Sequence, residues 1–176
     1  MKFVNNPNPI VPQHTKPIAY LGGAGIFGGI ISISILFFLF NFETINDTIP
    51  IQYIIPMSFG SSAYLLLGII DDKIAFKALT KLLFQIVIAF ICISLGLRGN
   101  FVTTYILDVF ITLFWIVLLV NASNLIDVCD GLLAGIMVIT LLILSTCFHT
   151  TTIFCYIVAG STLGFLCFNF PPASIF

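Results

Sequence analysis

Apolar runs close to the length of a bilayer crossing recur along this 176-residue chain, at 22–40, 53–70, 82–97, 102–120, 131–148 and 152–170. About 20 apolar residues is the length at which a helix spans the hydrocarbon core. In lipid, only helices and closed barrels satisfy every backbone amide. No succession of ten-residue stretches alternates with a period of two, which argues against a barrel. The expected fold class is therefore all-α: a polytopic transmembrane helix bundle of about six spans. The second and third runs are short, which tilting or local thinning of the bilayer accommodates. Composition agrees, with 7 % charged residues against roughly 25 % in soluble domains. No internal repeat and no linker divides the chain, so a single integral-membrane domain over 1–176 is expected.

The connections between runs set the orientation. Lys2, Lys16, Lys73, Lys77 and Lys81 fall on the side of the N-terminus, and only Arg98 falls on the other, with Glu43 and Asp47. By the positive-inside rule this puts the N-terminus in the cytoplasm. A net charge of −1 without any basic run gives no reason to expect nucleic acid as a partner. The polar, Pro-rich start lacks the apolar core of a cleaved signal peptide. The five cysteines, at 92, 129, 147, 155 and 167, form no C-x-x-C pair and read as small packing residues.

Four of the seven acidic residues fall in two tight pairs, Asp71/Asp72 and Asp127/Asp130. A carboxylate beside a membrane is costly unless paired, solvated or bound to a cation. The orientation above puts both pairs on the cytoplasmic face, where nucleotides and Mg²⁺ are found. Asp71 and Asp72 close an outside-to-inside run, so they meet the negative end of a helix dipole and need a cation. Lys73, Lys77 and Lys81, four apart, could supply it from one helical face, and so could Mg²⁺. Their bland reading is a solvated, salt-bridged loop.

The second pair sits in Asn121-Ala-Ser-Asn124-Leu-Ile-Asp127-Val-Cys-Asp130-Gly131. Its polar residues recur every three positions, so an ideal helix would leave Asn121 and Asp130 on opposite sides. A 3₁₀ turn or a break would gather them. Gly131 makes a break plausible, and Asp130 could then cap the following helix. Capping alone does not account for two Asp and two Asn. His14-Thr15-Lys16-Pro17 before Gly22-Gly23 reads by itself as a tail leading to a small helix face. Asp108 and His149 read as interfacial and receive no role.

Taken together, these motifs resemble the polyprenyl-phosphate N-acetylhexosamine-1-phosphate transferases. The Asn121-x-x-Asn124-x-x-Asp127-x-x-Asp130-Gly131-Leu132 run is similar to that family's N-x-x-N-x-x-D-G-x-D-G-L signature, with Val128 in place of a Gly. Gly68-Ile-Ile-Asp71-Asp72 with Lys77, Lys81 and Gln85 resembles its acidic loop and following helix, with Ala75 where many members are acidic. His14-Thr-Lys-Pro17 and Gly22-Gly23 resemble its N-terminal motif, and Asn169-x-x-Pro172-Ala173-x-x-Phe176 resembles its nucleotide-base segment. The chain stops before the family's next motif, a Gly-Asp whose Asp is the main magnesium ligand, and before a His-rich loop. It therefore reads as the N-terminal part of the family fold, and catalysis by it alone is not expected.

The resemblance implies a reaction in which undecaprenyl phosphate attacks the sugar-proximal phosphorus of a UDP-N-acetylhexosamine and expels UMP, beginning cell-wall or surface-polysaccharide synthesis. It implies Mg²⁺ as cofactor, with Mn²⁺ as the alternative, and a multi-pass protein of a bacterial cytoplasmic membrane, with room for a homodimer. Asp71, Asp72 and Asp127 are its catalytic candidates, Asp71 taking the proton of the lipid phosphate. Asp127 is also the metal candidate. Lys81 would attract the lipid phosphate, Asn121 and Asn124 the sugar diphosphate, Asp130 and Asn169 the nucleotide, and Phe176 would stack on the base. Eight residues separate Asp72 from Lys81, a short loop that resembles the GlcNAc-1-phosphate branch rather than the phospho-MurNAc-pentapeptide branch. The competing readings are an inactive remnant, the MurNAc-pentapeptide enzyme, and a transporter with intramembrane acids.

Overall fold

A computed structural model describes residues 4–5, 18–19, 21–40, 51–127, 129–148 and 151–175. The helices are α1 (Gly22–Phe40), α2 (Ile51–Ile74), α3 (Ala78–Ser94), α4 (Tyr105–Ile126), α5 (Leu132–Cys147) and α6 (Thr152–Asn169). A two-residue antiparallel pair, β1 (Val4–Asn5) with β2 (Ile18–Ala19), precedes them, with Val4 opposite Ala19. The protein is an all-α membrane protein. Three helices are long and apolar enough to cross a bilayer, at Gln52–Ile74, Tyr105–Ile126 and Thr152–Asn169. The other three run 16 to 19 residues, about 24–29 Å at 1.5 Å per residue, just short of a ~30 Å core. Only 11 % of the α4 span is buried within the chain, so its apolar surface requires lipid or another apolar cover.

The chain divides into two compact units, Met1–Ile49 with Leu125–Phe176, and Pro50–Asn124. In the second unit, α2 and α3 form an antiparallel hairpin. A Cβ on Gly60 would lie 2.9 Å from Cys92 Sγ. Nearer the turn, the Tyr64 hydroxyl donates to the Gln85 carbonyl at 3.0 Å. Phe76 lies tilted against Phe84, with ring centroids 5.5 Å apart. The buried residues of α3 are Gln85, Ala89, Cys92 and Ile93, the single stripe expected of a half-covered helix.

Helix α3 stops three residues short of its apolar run because Gly96 takes φ +107°. The Gly96 amide donates to the Ile93 carbonyl and the Leu97 amide to the Cys92 carbonyl, both at 3.0 Å, which is the Schellman ending. The following loop is stapled to α4. The Gly99 amide donates to Thr112 Oγ1 at 3.1 Å, and the Phe101 amide to Asp108 Oδ1 at 2.7 Å. Asp108, in the first turn of α4, is thus a buried loop anchor.

In the other unit, α5 and α6 form a second hairpin around Leu141, Cys155 and Ala159. Thr152 Oγ1 donates to the Ser145 carbonyl at 3.1 Å and ties the start of α6 to α5. Helix α1 lies on α6 where Gly29 meets Ser161; a Cβ there would stand 3.2 Å from the Ser161 Cβ and Oγ. The absence of a side chain at Gly29 permits that approach.

Candidate functional site

The acidic pair Asp71/Asp72 lies inside α2, which runs to Ile74, four residues past the apolar stretch. The chain leaves the helix at Ala75, whose φ is +52° and whose amide donates to the Asp71 carbonyl at 2.7 Å. The Asp71 side chain holds the turn from the other direction: Oδ1 accepts the Phe76 amide at 2.9 Å, and Oδ2 lies 2.7 Å from Lys81 Nζ. Asp72 is exposed beside it. The three lysines do not share one helical face. Lys73 lies in the last turn of α2, Lys77 precedes α3, and Lys81 alone lies within α3, because the break at residues 75–77 separates them.

Asn121 and Asn124 sit in the last turns of α4, which continues six residues beyond the expected 120. An Asn in an apolar helix is tolerated when its amide finds partners. Asn121 Nδ2 donates to the Val117 carbonyl and to Gln85 Oε1, each at 2.8 Å. Asn124 is exposed. Gln85 is 1 % exposed, one helical turn along α3 from Lys81. Within this unit, α3 thus carries two polar contacts one turn apart, Lys81 with Asp71 and Gln85 with Asn121. The sequence reading assigned Gln85 no role; the signal was a lone amide four residues after Lys81 in an apolar run.

Asp127 follows α4 directly and is exposed. The protein around it strips part of its hydration and holds its carboxyl above the usual carboxylate value. Asp130, which a break at Gly131 could have placed as a cap, does not stand at the cap position of α5. The cap position is Gly131, at φ +73°, and no side chain caps the helix. Asp130 Oδ2 instead accepts the Ala173 amide at 3.0 Å.

Asn169 completes the junction. Its Oδ1 accepts the Gly131 amide and its Nδ2 donates to the Ile175 carbonyl, both at 2.9 Å. A Cβ on Gly131 would meet Leu166 Cδ1 at 3.4 Å and Pro171 Cδ at 3.5 Å. The Asp130-Gly131 turn is therefore docked onto the end of α6 and the segment after it. Asp130 and Asn169, far apart in sequence, come together here, and Asn169 is 1 % exposed. Phe176, Val128, His14, Lys16, Pro17, Glu43, Asp47 and His149 lie outside the described residues.

Among the described residues, no three His, Cys, Asp or Glu side chains gather into a metal-holding group. Asp127 is an exposed carboxylate, a hard oxygen donor of the type that Mg²⁺ takes alongside phosphate and water.

Residues 54–176 match the family described as glycosyl transferase family 4. The chain is 33 % identical over 177 residues to a probable undecaprenyl-phosphate N-acetylglucosaminyl 1-phosphate transferase of Bacillus subtilis, covering 93 % of this chain and 47 % of that protein. It is 28 % identical over 188 residues to the decaprenyl-phosphate N-acetylglucosaminephosphotransferase of Mycobacterium tuberculosis, covering 93 % and 46 %. It is 31 % identical over 185 residues to a phospho-N-acetylmuramoyl-pentapeptide-transferase of Prochlorococcus marinus, covering 88 % and 49 %. The chain spans about half the length of these curated relatives. No solved structure matches it. With the family's match covering well over half of its residues, the chain belongs to glycosyl transferase family 4.

Proposed function

We propose that the protein serves the transfer of an N-acetylhexosamine-1-phosphate, in the first instance GlcNAc-1-phosphate, from a UDP-sugar to undecaprenyl phosphate. The observation that carries this reading is the Asp71–Lys81 pair at the polar end of the α2–α3 hairpin. An ammonium has three donors, and one is committed to Asp71. The other two suit a lipid phosphate arriving at the membrane surface. Family membership and the named activities of the relatives support the same reaction class.

In the proposed reaction, an oxygen of the lipid phosphate forms a bond to the sugar-proximal phosphorus, and the bond from that phosphorus to the UMP oxygen breaks. A phosphate monoester has a second pKa near 6, so only a residual proton remains to be taken at neutral pH. Asp71 takes it, while its bond to Lys81 keeps the ammonium aimed at the attacking phosphate. By the family resemblance, Asn121 and Asn124 are assigned to the sugar diphosphate and Asp127 to the metal. Asp130 and Asn169 shape the nucleotide region by fixing the chain around Gly131 and Ala173, and Phe176 stacks on the base. Mg²⁺ on Asp127 would neutralise charge on the diphosphate. Because most of this is positioning and electrostatics, the protein needs no covalent intermediate.

The site faces the cytoplasm of a bacterial inner membrane. The basis is the lysine bias of the connections together with the bacterial relatives. A cysteine introduced at Lys77 on a Cys-free background should react only from the inside.

The activity test mixes the purified chain in nanodiscs with UDP-GlcNAc, undecaprenyl phosphate and Mg²⁺, and follows UMP. Metal-dependent UMP release abolished by Asp71→Asn supports the proposal and overturns the sequence expectation that the chain alone does not catalyse; its absence denies this chain the activity. The Prochlorococcus relative keeps UDP-MurNAc-pentapeptide as the second donor to try. Turnover of that donor alone would move the chain to the other branch. The short turn between Asp72 and Lys81 favours UDP-GlcNAc.

A further inference from the structure

We infer that Gln85 is a positioning residue that fixes the polarity of Asn121, so that Asn121 offers its ligand only an acceptor oxygen. The inference rests on the proposed function for the identity of that ligand, and on the geometry alone for the rest. The Val117 carbonyl can only accept a hydrogen bond. The Asn121 atom 2.8 Å from it must therefore be Nδ2, which removes the usual ambiguity of an amide's orientation. The second Nδ2 hydrogen goes to Gln85 Oε1, also at 2.8 Å. Both donors of Asn121 are spent inside the protein.

What remains is Oδ1, on a side chain that is only partly buried. That oxygen can receive a hydroxyl, an acetamido N–H or a bound water. It cannot make a direct hydrogen bond to a bare phosphate oxygen, which has nothing to donate. The subsite thus takes the sugar, or water around the diphosphate, rather than the phosphoryl oxygens themselves.

Gln85 is held firmly enough for this task. It is 1 % exposed, and its backbone carbonyl accepts the Tyr64 hydroxyl from α2 at 3.0 Å. A buried amide in an apolar helix is costly unless bonded. Its bond to Asn121 spans 36 positions of sequence and joins α3 to α4. Lys81 lies one turn along α3 toward its start. The same helix thereby sets the place of the ammonium and the direction of the Asn121 amide.

Two measurements on the full chain in nanodiscs test this. The first follows hydrogen exchange of the Asn121 side-chain amide by NMR in protein labelled with ¹⁵N-asparagine. Both hydrogens should exchange slowly in the unmodified protein, and at least one should exchange tenfold faster or more in Gln85→Met. Identical exchange in the two would overturn the inference. The second is a double-substitution cycle on UDP-GlcNAc binding with Mg²⁺. Gln85→Met should weaken binding about tenfold in the Asn121 background, the scale of one lost hydrogen bond. In the Asn121→Ala background it should weaken binding less than twofold. Equal losses in both backgrounds would make Gln85 a packing residue and sink the idea. If the unmodified chain binds no UDP-GlcNAc, the proposed function falls, and the exchange measurement still decides the role of Gln85. Gln85→Glu, which keeps the acceptor oxygen, should restore slow exchange.

Discussion

Lys81 Nζ lies 2.7 Å from Asp71 Oδ2 across the α2–α3 turn, while Asp71 Oδ1 holds the Phe76 amide that begins the return of the chain. One carboxylate thus shapes the turn and aims the cation. The two side chains are 19 % and 25 % exposed, so the pair sits where solvent screens it. A pair of that kind contributes about 0–1 kcal/mol to stability.

The first prediction follows from that small figure. Lys81→Met should lower affinity for undecaprenyl phosphate at least tenfold while the unfolding temperature moves by only about 2–4 °C. Titration of the lipid phosphate into nanodisc-held protein, beside a thermal melt, checks both. A large drop in melting temperature with unchanged lipid binding would make Lys81 a scaffold residue.

Asn169 should show the opposite balance. Asn169→Leu leaves the Gly131 amide and the Ile175 carbonyl without the partners they now have. The expected cost is about 1–3 kcal/mol for each group left buried and unpaired. Limited proteolysis should then cut between Phe170 and Ile175 faster than in the unmodified chain. Unchanged cleavage would show that the post-helical segment does not depend on Asn169.

Gly60→Ala places a Cβ where Cys92 Sγ is 2.9 Å away. Overpacking of this kind costs about 1–3 kcal/mol. Cys92→Ala in the same chain should restore most of the loss, because the offending sulfur is then gone. Unfolding in a detergent series reads both steps, and failure of the rescue would place the clash elsewhere.

The Asp127 carboxyl titrates above its ordinary value of 3.8 because the protein around it strips part of the hydration that its charge needs. The sign follows: the fold disfavours the ionised form, so the penalty is absent below the ordinary value and appears as pH rises through the raised one. Asp127→Asn should therefore melt at the same temperature as the unmodified chain at about pH 3 and at a higher temperature at neutral pH. Metal-dependent UDP-GlcNAc binding at neutral pH should disappear in the same variant. A variant less stable than the parent at neutral pH would contradict the stated cause.

The helices were legible in the sequence because apolar length is what lipid demands. The expected 22–40 coincides with Gly22–Phe40, and 152–170 overshoots α6 by one residue. Errors arose where a polar side chain found a partner that sequence spacing does not reveal. Helix α4 was expected to end before Asn121, yet the amide is satisfied by Val117 within the helix and by Gln85 outside it. Sequence spacing allows Asp130 to cap α5, whereas its Oδ2 bonds to the Ala173 amide, 43 residues away. The lysines looked evenly spaced, but a left-handed Ala75 interrupts their periodicity. The acidic pairs are legible from sequence positions alone; how Gln85, Asn169 and the post-helical segment support the residues around them required coordinates.

The stripe along α3 also sets a depth. Lys81 and Gln85 are four residues apart on one helix, a rise of about 6 Å, and Ala89 and Cys92 continue the same face as small apolar side chains. The groups that bear charge or amides on this face occupy a thin layer at one end of the helix, and beyond it the face is apolar and packed inside the protein. A polar side chain placed at Ala89 or Cys92 would therefore reach neither water nor lipid headgroups and would have to find its partner within the hairpin.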